Sequence, residues 1–90
     1  KKVNKIKKYY AYMLKCKDGT IYSGYTDNIE KRVEKHNSGK GAKYTRARRP
    51  VKLAYYEEFN TKSEALKRER EFKKYSHNTK EEIIKKYNLK

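Results

Sequence analysis

Apolar and aromatic residues in this chain gather into three strand-length runs separated by polar, lysine-rich stretches. Tyr9 to Cys16 and Thr20 to Tyr25 flank Lys17-Asp18-Gly19, a turn signal between β-prone runs that predicts a hairpin. Val51 to Phe59 predicts a third strand. The helices are marked by their starts. Asp27-Asn28-Ile29-Glu30 sets Asp27 as N-cap with an acidic residue three positions on, and Asn37-Ser38-Gly39 supplies the stop. Thr61-Lys62-Ser63-Glu64 opens a second helix to about Tyr75, and Thr79-Lys80-Glu81-Glu82 a short third to about Tyr87. Gly39 to Pro50 reads as a basic loop. Residues 1–8 read as a basic N-terminal arm ahead of a single domain over residues 9–90. The order strand, strand, helix, strand, helix, helix specifies an α+β domain, a small three-stranded, mainly antiparallel sheet flanked by three helices.

The hairpin turn admits two lengths with different consequences. A two-residue Asp18-Gly19 turn pairs Lys17 with Thr20 and sends Tyr12 and Tyr22 to opposite faces. A three-residue turn, with Gly19 left-handed, pairs Cys16 with Thr20. Tyr22 then faces Leu14, Tyr12 faces Gly24, and both tyrosines share one face beside a residue with no side chain.

Composition makes this a demanding core. Only 34% of residues are hydrophobic, with 10 Tyr, 2 Phe and no Trp. Buried tyrosines need partners for their hydroxyls. The single Cys16 excludes an internal disulfide, and no Cys/His spacing suggests zinc. No apolar run approaches the roughly 20 residues that span a bilayer. The lysine-rich start lacks the apolar segment of a signal peptide. These features predict a cytoplasmic location and no membrane partner.

Charge narrows the partner. The 26 Lys+Arg outnumber the 11 Asp+Glu, for a formal net charge of +15. No acidic residue lies between Lys35 and Tyr56, where Lys40, Lys43, Arg46, Arg48 and Arg49 cluster. Such a patch favours a polyanion, above all nucleic acid, through counterion release.

The helices add candidate chemistry. Arg32 and His36, four residues apart, share a helix face, and His36 projects within roughly 20° of the apolar Ile29. On the second helix Ala65, Leu66 and Phe72 define a buried side. Glu69 falls within it in projection, while Lys67, Arg68, Arg70 and Glu71 take solvated faces. A carboxylate in an apolar stripe demands a cation, hydrogen bonds or a metal. A Glu69–Arg32 salt bridge and a divalent-ion ligand both satisfy that demand. One or two carboxylates with waters and substrate phosphate suffice for Mg²⁺.

Taken together these residues resemble the GIY-YIG nuclease superfamily, in particular its small single-domain bacterial branch and the catalytic domain of excision-repair nucleases. Tyr10-Ala11-Tyr12 and Tyr22-Ser23-Gly24 match its two motifs, Arg32 its helix arginine, His36 its Tyr-or-His position and Glu69 its metal-binding glutamate. The run from His36 to Thr45 adds to the likeness. Tyr10 stands where the first motif has glycine. Glu81 stands where many members carry an asparagine, and Asn78 lies nearby. The resemblance implies an endonuclease using Mg²⁺ or Mn²⁺ to hydrolyse phosphodiester bonds in DNA, in repair or recombination. It also implies catalytic roles for Tyr12, Tyr22, Arg32, His36 and Glu69, with either Tyr12 or His36 as the base. The alternative is a non-catalytic nucleic-acid-binding module that keeps the fold.

Overall fold

The computed structural model describes residues 7–88. Three strands, β1 (Tyr9–Cys16), β2 (Ile21–Thr26) and β3 (Val51–Phe59), form one sheet in the order β2-β1-β3, with both pairings antiparallel. Four helices accompany it: α1 (Ile29–Asn37), a one-turn α2 (Lys43–Arg46), α3 (Lys62–Lys74) and α4 (His77–Asn88). No described helix is long and apolar enough to cross a membrane.

The hairpin takes the three-residue turn. Gly19, at φ +88°, donates its N–H to the Cys16 carbonyl at 3.0 Å, and Cys16 N–H bonds the Thr20 carbonyl at 2.8 Å. The Asp18 carboxylate accepts from both the N–H and the hydroxyl of Thr20, at 3.1 and 2.6 Å. This local bond closes the turn on the longer loop and fixes the register, so Tyr12 pairs with Gly24 and Leu14 with Tyr22. The second strand begins at Ile21 because Thr20 belongs to the turn.

Strand β1 is central and buried on both faces. Ala11 and Met13 meet Phe72 of α3 and Ile84 of α4 on one face. Tyr12, Leu14 and Cys16 pack with Val51 on the other, where Val33 of α1 covers them. Fully buried Met13, Leu14 and Phe72 each contribute about 2–3 kcal/mol of apolar burial. The β1–β3 pairing slips after Met13–Tyr55 to Leu14–Leu53, so Ala54 is an extra residue in β3.

Several boundaries differ from the pattern. Asn28, not Asp27, caps α1: its extended backbone turns the side chain onto Lys31 N–H at 3.1 Å, while its own N–H is held by the Thr26 hydroxyl. Helix α4 starts at His77 because Ser76 caps it through Thr79 N–H at 3.1 Å, three residues before the expected cap at Thr79. The expected cap at Thr61 is present and accepts from Glu64 N–H at 3.2 Å. The segment 39–50, expected as a loop, contains α2. Its one buried side chain is the polar Thr45, so no apolar periodicity announces it.

Arg68, expected on a solvated face, is half-buried between α3 and β3. Its guanidinium donates to Glu57, Glu71 and the Tyr75 hydroxyl at 2.7–3.1 Å and lies over the Phe72 ring. Glu57 sits on the β3 face that meets α3, so the charge there needs a cation.

Asn37 joins α1 to β3. Its amide accepts from Val51 N–H at 2.7 Å and donates to Val51 carbonyl at 3.0 Å. At about 1 kcal/mol per hydrogen bond, Asn37→Ala is expected to lower stability by about 2 kcal/mol. Urea denaturation checks this as a lower midpoint at constant slope.

Candidate active site

Tyr12, Tyr22, Gly24, Tyr25, Thr26, Asp27, Arg32 and Glu69 line one cavity of about 290 Å³. Each reaches it for a local reason. The register places Tyr12 opposite Gly24. A Cβ on Gly24 would come within 2.5 Å of the Tyr12 hydroxyl oxygen, so the phenol occupies the space that glycine leaves. Arg32 arrives from α1, and Glu69 from α3, which packs against β1 and β2.

The Tyr12 hydroxyl is the centre of the arrangement. The residue is 1% exposed. Its oxygen accepts from Arg32 Nε at 3.3 Å and lies 3.1 Å from His36 Nε2. His36 is fully buried, and its Nδ1 lies 2.8 Å from the Thr45 hydroxyl. The Tyr22 ring packs edge-on against His36 with centroids 5.1 Å apart, and Tyr44 of α2 lies 5.8 Å beyond it. Tyr22 therefore meets the imidazole through its ring.

Electrostatics assign the protons. Burial pushes the Tyr12 phenol above its usual range, opposed by the neighbouring Arg32. Burial, with Arg32 and Lys35, lowers His36 to about 4. At neutral pH the pair is thus a phenol beside a neutral imidazole. A buried group resists becoming charged, and adjacent cations favour the neutral imidazole.

Glu69 is mostly enclosed, its side chain 16% exposed, and one carboxylate oxygen pairs with Lys73 at 3.1 Å. That contact replaces the Glu69–Arg32 bridge as its ionic partner: no Glu69–Arg32 ion pair forms among the described residues, and Arg32 is turned to Tyr12. No group of three or more His, Cys, Asp or Glu side chains suited to a metal occurs among the described residues. Glu81 lies elsewhere, bonded to Lys15 and His77, and with Asn78 it lines a separate groove between β3 and α4.

The basic residues divide into two groups. Lys40, Lys43 and Arg46 are exposed. Arg48 donates to Asp18 and the Tyr44 carbonyl and stacks over the Tyr44 ring at 4.0 Å. Arg49 donates to the carbonyls of Arg46 and Asn37 and packs against Gly39, at φ +87°. These two arginines hold the segment in shape. Sequence reasoning missed Asp27 as a wall of the cavity and Thr45 as a partner of His36. The only signal for Thr45 was its place in the His36–Thr45 run.

Residues 8–88 match the family model described as the GIY-YIG catalytic domain. Such domains belong to nucleases, which act on nucleic acid and are generally divalent-metal dependent. A UPF0213 protein of Staphylococcus saprophyticus is 60% identical over 77 residues, covering 86% of this chain and 94% of the relative. One from Bacillus licheniformis is 60% identical over 76 residues, covering 84% and 78%. The solution NMR structure of a UPF0213 protein from Bacillus halodurans has a TM-score of 0.56 at 46% identity, covering 87% of this chain and 83% of that one. A solution NMR structure from E. faecalis has a TM-score of 0.61 at 46% identity, covering 93% and 90%. With the sheet order, the paired tyrosine motifs and these likenesses in agreement, the chain belongs to the GIY-YIG nuclease family, alongside its small UPF0213 members.

Proposed function

We propose that this protein is a divalent-metal-dependent endonuclease that hydrolyses phosphodiester bonds in DNA, in the cytoplasm, during repair or recombination. The observation that carries the reading is the Tyr12 hydroxyl, held between the Arg32 guanidinium and the neutral His36 imidazole on the wall of a cavity shared with Glu69. A packing tyrosine needs one hydrogen-bond partner. This one has a cation on one side and a proton acceptor on the other.

The roles follow from the donor inventory. Arg32 uses Nε on Tyr12, which leaves its terminal N–H groups for the scissile phosphate, where they neutralise charge as it grows in the transition state. Water attacks phosphorus, and the Tyr12 oxygen takes the water proton as its own passes to His36 Nε2. The leaving 3′-oxygen draws its proton from solvent. This relay suits a phenol whose ionisation is suppressed, because no free tyrosinate forms. Phosphate beside Arg32 offsets one of the cations that depress His36, so substrate raises the basicity of the acceptor. Tyr22 holds the imidazole plane.

The residues present fit a divalent ion of the Mg²⁺ or Mn²⁺ type. Glu69 faces the cavity, which has room for a hydrated cation, and a single carboxylate with waters and phosphate oxygens suffices for Mg²⁺. Glu69 would hold it, and when bound the ion supplies Lewis-acid neutralisation of the phosphate. Lys40, Lys43 and Arg46 would track the backbone with little base reading. Arg48 and Arg49 would add to that field while bracing the loop.

Cleavage of plasmid, branched DNA and RNA substrates with Mg²⁺ or Mn²⁺ tests the reading. Glu69→Ala is expected to lose at least about a hundredfold in rate while retaining salt-sensitive binding. Equal cutting by wild type and variant would remove Glu69 from the chemistry. Binding without cutting on every substrate would favour the binding-module alternative.

A second expectation concerns pH. The folded pKa of His36 lies below its unfolded value of about 6.5, so the unfolded chain binds the extra proton first. The associated stability is present above about pH 6.5 and is lost as pH falls towards 4. Between pH 7 and 5 the loss is about 2 kcal/mol. Urea titrations of wild type and His36→Asn should show it in the wild type alone.

A further inference from the structure

The segment that follows α1 was singled out for its charge, yet it also closes over the buried imidazole. Ala42 begins α2 in an extended conformation, and the following turn carries the fully buried Thr45 beneath His36. Gly41 packs closely against His36: a Cβ there would overlap Nδ1 and Cγ of the imidazole. The Tyr22 ring closes another side. The ring is thus boxed, and its two hydrogen-bond contacts fix which nitrogen carries the proton.

The hydrogen bonds decide between the two neutral tautomers. The Thr45 hydroxyl lies 2.8 Å from His36 Nδ1 and 3.1 Å from the Ala42 carbonyl oxygen. A carbonyl only accepts, so the single hydroxyl proton goes to Ala42 and the hydroxyl oxygen accepts from Nδ1–H. Nε2 then presents its lone pair to the Tyr12 hydroxyl, whose oxygen accepts from Arg32. Every donor in this series of four has one acceptor. In the other tautomer Thr45 would turn its proton to Nδ1 and abandon Ala42. Nε2–H and Arg32 would both donate to the Tyr12 oxygen, and the phenolic proton would have no protein acceptor among these groups. That arrangement loses a bond and reverses the direction in which a proton can leave Tyr12.

The geometry points to Thr45 as a positioning residue: its hydroxyl, anchored on Ala42, selects the Nδ1–H tautomer of His36 so that Nε2 accepts the Tyr12 proton. Thr45 touches neither the cavity nor any reacting atom, and its influence passes through His36. The kinetic side of this inference rests on the nuclease reading, whereas the tautomer itself does not.

Long-range ¹H–¹⁵N spectra of the His36 ring at neutral pH, recorded on the full chain, are the test. Wild type should show a protonated Nδ1 and an unprotonated Nε2. Thr45→Val should move the ring to the Nε2–H form or a mixture, and Thr45→Ser should restore the wild-type pattern. In cleavage assays Thr45→Val should lower kcat about 10- to 100-fold with KM little changed, by analogy with the loss when a partner that orients a metal-bound histidine is removed. Thr45→Ser should recover most of that loss. An Nε2–H ring in the wild type overturns the inference without any variant. An unchanged ring in a folded Thr45→Val protein overturns it as well. The expected shift in a protein that cuts nothing upholds the tautomer assignment and sinks the nuclease reading instead.

Discussion

Tyr12 lies where it does because residue 24 has no side chain, and most of the site depends on that fit. The phenol crosses the Gly24 backbone at a distance that would exclude even a methyl group. Gly24 stands opposite Tyr12 only in the register set by the three-residue turn, where Gly19 adopts positive φ and Asp18 holds Thr20. With β1 also held by β3, a slip of one residue in the hairpin would turn Tyr22 to the opposite face and move Gly24 out from under Tyr12. A surface turn thus determines which groups meet in the interior.

The same arrangement explains how a protein with so large a positive charge keeps a neutral base inside it. His36 sits near Arg32 and Lys35 and cannot readily acquire a third positive charge out of water. Its two nitrogens bond Tyr12 and Thr45, so the neutral ring is fully satisfied. On the opposite face the problem is solved differently. Arg68 and Glu57 lie between α3 and β3 as a charged pair, with Glu71 and Tyr75 completing the donors and acceptors. Two polar clusters, one buried and neutral, the other half-buried and ionic, hold the helices to a sheet short of aliphatic residues.

Much of this was legible along the chain. Strand limits followed from apolar runs bounded by turn residues, and α3 from Thr61 and Glu64. Glu69 stood out because a carboxylate interrupted the apolar stripe of its helix, and the structure places it in the cavity with Tyr12 and Arg32. Other features were hidden for physical reasons. Asp27 and Asn28 are both good caps, and the choice turned on the Thr26 hydroxyl holding Asn28. Helix α2 has a polar residue as its only buried side chain, so hydrophobic patterning passed over it. Arg68 looked solvated because its partner Glu57 belongs to a different element. The turn length could be framed as a choice but not made, since both turns suit Asp-Gly.

The central claim is that the Tyr12 oxygen, rather than its ring, does the chemistry. Tyr12→Phe tests this most directly, because it keeps the packing over Gly24 and removes only the atom joining Arg32 to His36. Single-turnover cleavage of DNA with Mg²⁺ or Mn²⁺, compared with urea stability of the same proteins, separates the two roles. A folded Tyr12→Phe protein whose cleavage falls at least about a hundredfold is the predicted result. Cleavage at the wild-type rate by that protein would contradict the account.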